Sequence, residues 1–133
     1  MNENLSYNVS YENMKKIIKN YFMQQGREVD LRISNEIDTD RFAGMVTTTI
    51  QILEKTTIAG VESKTQSYLS MDDLKEIVSS VLEQEGKELL NLSNNAVSIS
   101  KIEGYGMGER EVKSITDKSF TIVAKDKKIS HTK

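Results

Sequence analysis

Residues 10–29 and 70–89 align without a gap. Ser10/Ser70, Lys15/Lys75, Ile17/Ile77, Gln24/Gln84, Gly26/Gly86 and Glu28/Glu88 are identical pairs. Within the repeat, Met14, Ile17, Ile18, Tyr21 and Phe22 recur as Leu74, Ile77, Val78, Val81 and Leu82, the spacing that lines one stripe of an α-helix. Ser10 and Ser70 stand where an N-cap accepts a bond from a first-turn amide, and Ser70 with Asp73 fits a capping box. Gly26 and Gly86 end the helices, because a glycine enters the left-handed conformation of a helix terminus without a Cβ clash. The repeat predicts a chain built twice from a capped helix and the strands that follow it.

After each glycine the period changes from helical to alternating. Val29, Leu31 and Ile33 face one way, and Asp30, Arg32 and Ser34 the other, as in a half-buried strand. Met45 to Leu53 alternates with Val46, Thr48, Ile50 and Ile52 on one side, and Val61 to Leu69 reads as its hairpin partner across Lys55 to Gly60. In the second copy the strand candidates are Leu89 to Leu92, Val97 to Ile102, Glu111 to Ile115 and Phe120 to Ala124. They are separated by Asn94-Asn95, by the run Gly104 to Gly108 and by Thr116 to Ser119. The expected architecture is a two-layer α+β fold: two pseudo-symmetric units, about 10–69 and 70–125, forming one antiparallel sheet with both helices on one face.

A chain of 133 residues fits one domain over residues 1–133. Five tyrosines, three phenylalanines and no tryptophan leave a largely aliphatic core. The absence of cysteine removes disulfides, thiolate chemistry and zinc–cysteine sites. No apolar run is long enough to span a membrane and the first residues do not resemble a signal peptide, so the expected location is the cytoplasm. The absence of proline, with abundant Lys, Asn, Ile and Ser, fits an AT-rich genome such as that of a low-GC bacterium or its phage. A net charge of −2 does not favour nucleic acid, although residues 125–133 form a basic stretch (Lys125, Lys127, Lys128, Lys133 and His131 against Asp126), read as a disordered tail.

The chemistry offered by the residues is sparse. His131 is the lone histidine, so a histidine-based triad or metal site would rest on the basic stretch. Glu36, Asp38 and Asp40 cluster as a cation site would, but without the glycine and glutamate of an EF-hand loop. Nothing calls for a cofactor. The run Glu103-Gly104-Tyr105-Gly106-Met107-Gly108-Glu109-Arg110 is the most unusual segment. Alternate glycines at Gly104, Gly106 and Gly108 let backbone amides approach an anion that Arg110 could pair, but the spacing is not that of a dinucleotide fold and a strand follows. The competing reading is a plain hairpin turn. Tyr7, Tyr11, Tyr68 and Tyr105 are interface candidates, since tyrosine gives large contact area at small entropic cost, while Tyr21 belongs to the helix stripe.

These observations point first to a small non-catalytic binding protein with a protein partner, an accessory or inhibitory protein of a bacterium or phage. A binder of a small anionic, nucleotide-like ligand through Gly104–Gly108 and Arg110 comes second, and a carboxylate-based hydrolase third. The two edges of an antiparallel sheet also lead to the expectation of a homodimer.

Overall fold

A computed structural model describes residues 3–38 and 45–127 of the chain. It is α+β with antiparallel sheets, in the order β1 (Asn4–Ser10), α1 (Tyr11–Met23), β2 (Val29–Asp38), β3 (Met45–Ile58), β4 (Val61–Leu69), α2 (Met71–Gln84), β5 (Lys87–Asn94), β6 (Val97–Glu103), β7 (Arg110–Thr116) and β8 (Ser119–Asp126). His131, Asp40 and the side chain of Asp38 lie outside the described residues, as does the basic stretch beyond Lys127.

Both helices begin where their serines predict. Asn13 N–H donates to Ser10 Oγ at 3.1 Å. At the second helix Asp73 N–H donates to Ser70 Oγ at 3.0 Å while Ser70 N–H donates back to Asp73 Oδ2 at 2.9 Å, a complete capping box. That returned bond, together with the Ser70 hydroxyl, holds the Asp73 carboxyl below the usual carboxylate range. At the end of α1, Gly26 takes φ +76°, its N–H donates to Met23 O and Arg27 N–H donates to Phe22 O, a Schellman termination.

The strands form three hydrogen-bonded sheets, β1-β8-β5, β2-β3-β4 and β6-β7, where one sheet was expected. The reason lies in connectivity. The strand before each helix does not join the strand just after it: β1 pairs with β8 rather than β2, and β4 with β3 rather than β5. Each three-stranded sheet thereby holds the two strands following one helix plus the strand preceding the other. The registers correspond, with Val9 opposite Phe120 in one sheet and Leu69 opposite Ile50 in the other. β1 itself was not read from the sequence. Two other boundaries moved: β3 continues to Ile58 through most of the expected Lys55–Gly60 loop, leaving Ala59-Gly60 as the turn, and Lys125 and Asp126 belong to β8 rather than to a tail.

One core joins both helices and both three-stranded sheets. Met14, Ile18 and Phe22 of α1 and Leu74, Ile77, Val78 and Leu82 of α2 meet Val29, Ile50 and Ile52 from one sheet and Leu92, Phe120, Ile122 and Ala124 from the other. Ile17 is only partly buried. The helix ends meet at residues that match in the repeat, Gln84 Nε2 donating to Gln24 Oε1 at 3.0 Å.

Because truncation of a fully buried isoleucine loses transfer energy and leaves a cavity, Ile77→Ala is expected to cost about 2–4 kcal/mol in urea unfolding. Ile17→Ala should cost distinctly less, and equal losses at the two sites would contradict the burial described.

Candidate functional site: the β6–β7 hairpin and its root

The hairpin is an excursion between β5 and β8, which pair directly with each other. Two asparagines fix its root. Asn94 closes β5: its Oδ1 accepts from Tyr11 O–H at 3.1 Å and from Ala96 N–H at 3.1 Å, and its Nδ2 donates to Thr48 Oγ1. The same Tyr11 hydroxyl reaches Asn35 Oδ1 at 3.1 Å, which also accepts from Thr48 Oγ1 at 2.6 Å. Asn95 N–H donates to Ser119 O, and Asn95 Nδ2 donates to Ser119 Oγ at 3.0 Å and Thr121 Oγ1 at 2.8 Å. The polar cluster therefore ties α1, β2, β3 and β5 to one point, and β8 to the next residue.

Sequence reasoning read Asn94-Asn95 as a spacer and Tyr11 as an interface candidate. Tyr11 is instead 9% exposed, its ring 5.2 Å from that of Phe120 and its hydroxyl spent in the cluster, so it serves the core rather than an outer surface. The signal available was its place as the first residue of an amphipathic stripe. The other three tyrosines stand on separate elements: Tyr7 on β1 (37% exposed), Tyr68 on β4 (63%) and Tyr105 at the hairpin tip (96%).

At the tip, Gly104 has φ +98° and Gly106 φ +57°, while Gly108 needs no left-handed backbone. A Cβ on Gly104 would lie 2.3 Å from Gly108 O, so glycine is demanded there by the close return of the chain. Gly106–Gly108 forms one 3₁₀ turn, with Gly108 N–H donating to Tyr105 O at 3.0 Å and Glu109 N–H to Gly106 O at 3.2 Å. Those amides are engaged within the turn. Arg110 Nη2 lies 3.8 Å from Glu103 Oε2, its cross-strand partner, and Glu109 and Glu111 line the same shallow groove. Carboxylates beside the guanidinium repel an anion, and the geometry favours the turn over an anion cradle.

Apolar side chains crowd this exposed hairpin. Tyr105 and Met107 project from the tip into solvent, Ile102 is 65% exposed, and Val97 and Ile99 are each about half exposed on β6. The hairpin's main contact with the rest of the fold is with β3, leaving most of both strands uncovered.

A second concave region, about 710 Å³, lies against β2, β3 and β4 and is lined by Arg27, Asp30, Arg32, Leu53, Glu54 and Lys64. Its charges are mixed. Arg27 grips Glu54 bidentately (Nη2–Oε1 2.8 Å, Nε–Oε2 3.1 Å) with its guanidinium 4.6 Å from the Phe22 ring centroid. The bond from Arg27 holds the Glu54 carboxyl below its ordinary range. Glu54 and Asp73 are thus kept ionised by partners that cap or clamp, the opposite of the raised value a general acid needs. Among the described residues no three His, Cys, Asp or Glu side chains are grouped to hold a metal, and no helix is long and apolar enough to cross a membrane.

Tyr11→Phe removes the single hydroxyl proton that Asn35 and Asn94 share, while both amide oxygens keep another donor, for an expected loss of about 0.5–1.5 kcal/mol. Asn94→Ala strips three partners and is expected to cost more, with faster amide exchange over residues 97–116; the reverse order would show that the cluster does not hold the root. Gly104→Ala is expected to disorder the tip while leaving the urea midpoint of the core unchanged. Arg110→Ala, removing an exposed pair, should change stability by no more than about 1 kcal/mol.

No family model, curated protein or solved structure matches this chain, and the hairpin is therefore read from its own geometry.

Proposed function

We propose that this is a non-catalytic binding protein, acting in the cytoplasm, that engages another protein through the β6–β7 hairpin. The observation that carries the reading is the exposure of Tyr105, Met107 and Ile102 together on an element held out from the core. Tyrosine and methionine are enriched where proteins meet, and large uncovered apolar side chains gathered on one exposed element suit such a contact. Charge selects the class of partner. Lys101, Arg110 and Lys113 alternate with Glu103, Glu109 and Glu111 along the hairpin, giving a balanced rim that suits a protein surface better than the phosphates of nucleic acid or an anionic membrane.

The reading takes the two helix-plus-strands units, about 10–69 and 70–125, as copies of one unit. Supporting it are the gap-free repeat, the corresponding registers of β1 on β8 and β4 on β3, and the Gln24–Gln84 bond between matched residues. On that view the hairpin is an elaboration of the second copy.

The test is affinity capture from the source cell followed by titration of the captured protein. Tyr105→Ser with Met107→Ser is expected to weaken that interaction by at least about 30-fold, the loss of roughly 2 kcal/mol typical of a central contact, with no change in thermal stability. Equal affinity for wild type and variant would place the contact elsewhere. A copurifying nucleotide displaced by Arg110→Ala would favour the anionic-ligand reading.

A further inference from the structure

Outer strands offer unpaired N–H and C=O groups to any passing chain, and soluble proteins blunt them with charge, proline or a bulge. Five of the six outer strands here are blunted in that way. β2 carries Asp30, Arg32 and Glu36; β4 carries Glu62 and Lys64; β6 carries Lys101 and Glu103; β7 carries Arg110, Glu111 and Lys113. β5 combines Lys87 and Glu88 with a bulge at Leu90. β1 differs from all of them. Its sequence, Asn-Leu-Ser-Tyr-Asn-Val-Ser, has no charge, proline or glycine, and it runs through seven consecutive pairs with β8 without a break. Among the described residues its other edge pairs with no strand.

We infer that β1 is the surface by which two copies of this chain associate, pairing antiparallel with β1 of the second copy about a twofold axis at Tyr7. The strand's own pattern selects this occupant. Read in either direction it alternates polar and apolar residues around a central tyrosine. A twofold at Tyr7 therefore sets Leu5 opposite Val9 of the second copy, Tyr7 opposite Tyr7, Ser6 opposite Asn8 and Asn4 opposite Ser10. Leu5, Tyr7 and Val9 lie opposite Ala124, Ile122 and Phe120, all buried, so the pairing extends the apolar inner face of the sheet while Asn4, Ser6 and Asn8 stay on the outer face. An isologous contact brings like residues together at its axis, where any charge would oppose itself; β1 has none to oppose. Aromatic and aliphatic cross-strand pairs each add to such a ladder. The result is one six-stranded sheet, β5-β8-β1-β1-β8-β5, whatever the hairpin holds.

The natural absence of cysteine makes the register directly measurable. The 133-residue chain at tens of micromolar is expected to sediment at twice 15.1 kDa. Ser6→Lys with Asn8→Lys sets lysine opposite lysine at exposed positions, and should return the mass to the monomer with unchanged circular dichroism and urea midpoint. The same load on another outer strand, Thr65→Lys with Ser67→Lys on β4, should leave the dimer intact. Tyr7→Cys brings the two Cβ atoms to about 4.5–5.5 Å, and a short bismaleimide should then yield a covalent dimer; Thr65→Cys should yield none. A monomeric wild type, a dimer that survives the β1 lysines, or a wild-type dimer that Tyr7→Cys fails to cross-link would each overturn the proposal.

Discussion

The two three-stranded sheets close against one shared core. β3 and β8 are the central strands, and each is flanked on one side by the strand that precedes a helix: β8 by β1, and β3 by β4. An isolated two-stranded ribbon is marginal in water, whereas three strands with an apolar face, or strands packed on a helix, are stable. Here both helices and both three-stranded sheets meet in one core, in which the residues of α1 and α2 are continuous with Ile50, Ile52, Phe120 and Ile122. Everything displayed on the surface, including the hairpin, stands on that closure.

The hairpin has no such support along its length, and its position is set at the root instead. Half-buried amides and hydroxyls there hold one another in place, because a partner left unpaired away from water costs more than the bond returns. Tyr11, Asn35, Thr48 and Asn94 satisfy one another across four elements, while Asn95 anchors to β8. A rigid base and an apolar, turn-terminated tip divide the hairpin into a part that positions and a part that is free to touch something else. The same division explains why Gly104 is constrained by its own backbone and Arg110 by Glu103, leaving Tyr105 and Met107 as the unpartnered groups.

The helices were legible in the sequence because local chemistry alone decides them: a serine that caps, a glycine that stops and a stripe at helical spacing. Strand pairing was legible only where a hairpin made it local, as for β3 and β4. β1 escaped because seven residues of mild alternation carry no turn signal, and its partner lies more than a hundred residues away. The expected single sheet failed for the same reason, since nothing in a local pattern reveals which sheet a distant strand will join. Asn94 and Asn95 look like turn residues to any composition argument; their role as a junction exists only once Tyr11 and Thr48 are brought alongside.

The place of β8 in the chain also has a consequence for how the protein is made. β8 supplies Phe120, Ile122 and Ala124 to the core and pairs with β1 within the chain, yet among the described residues it is the last strand in sequence order. While the ribosome is still translating the hairpin, β1 and β5 have no central strand between them, and the apolar faces of both helices lack one wall. Contacts of such long sequence separation form slowly, and chains that expose apolar surface and strand edges in the meantime are prone to aggregate. The native core therefore cannot close before β8 has been made. Residues up to 118 contain both helices and β2, β3 and β4, and among the core strands they lack only β8.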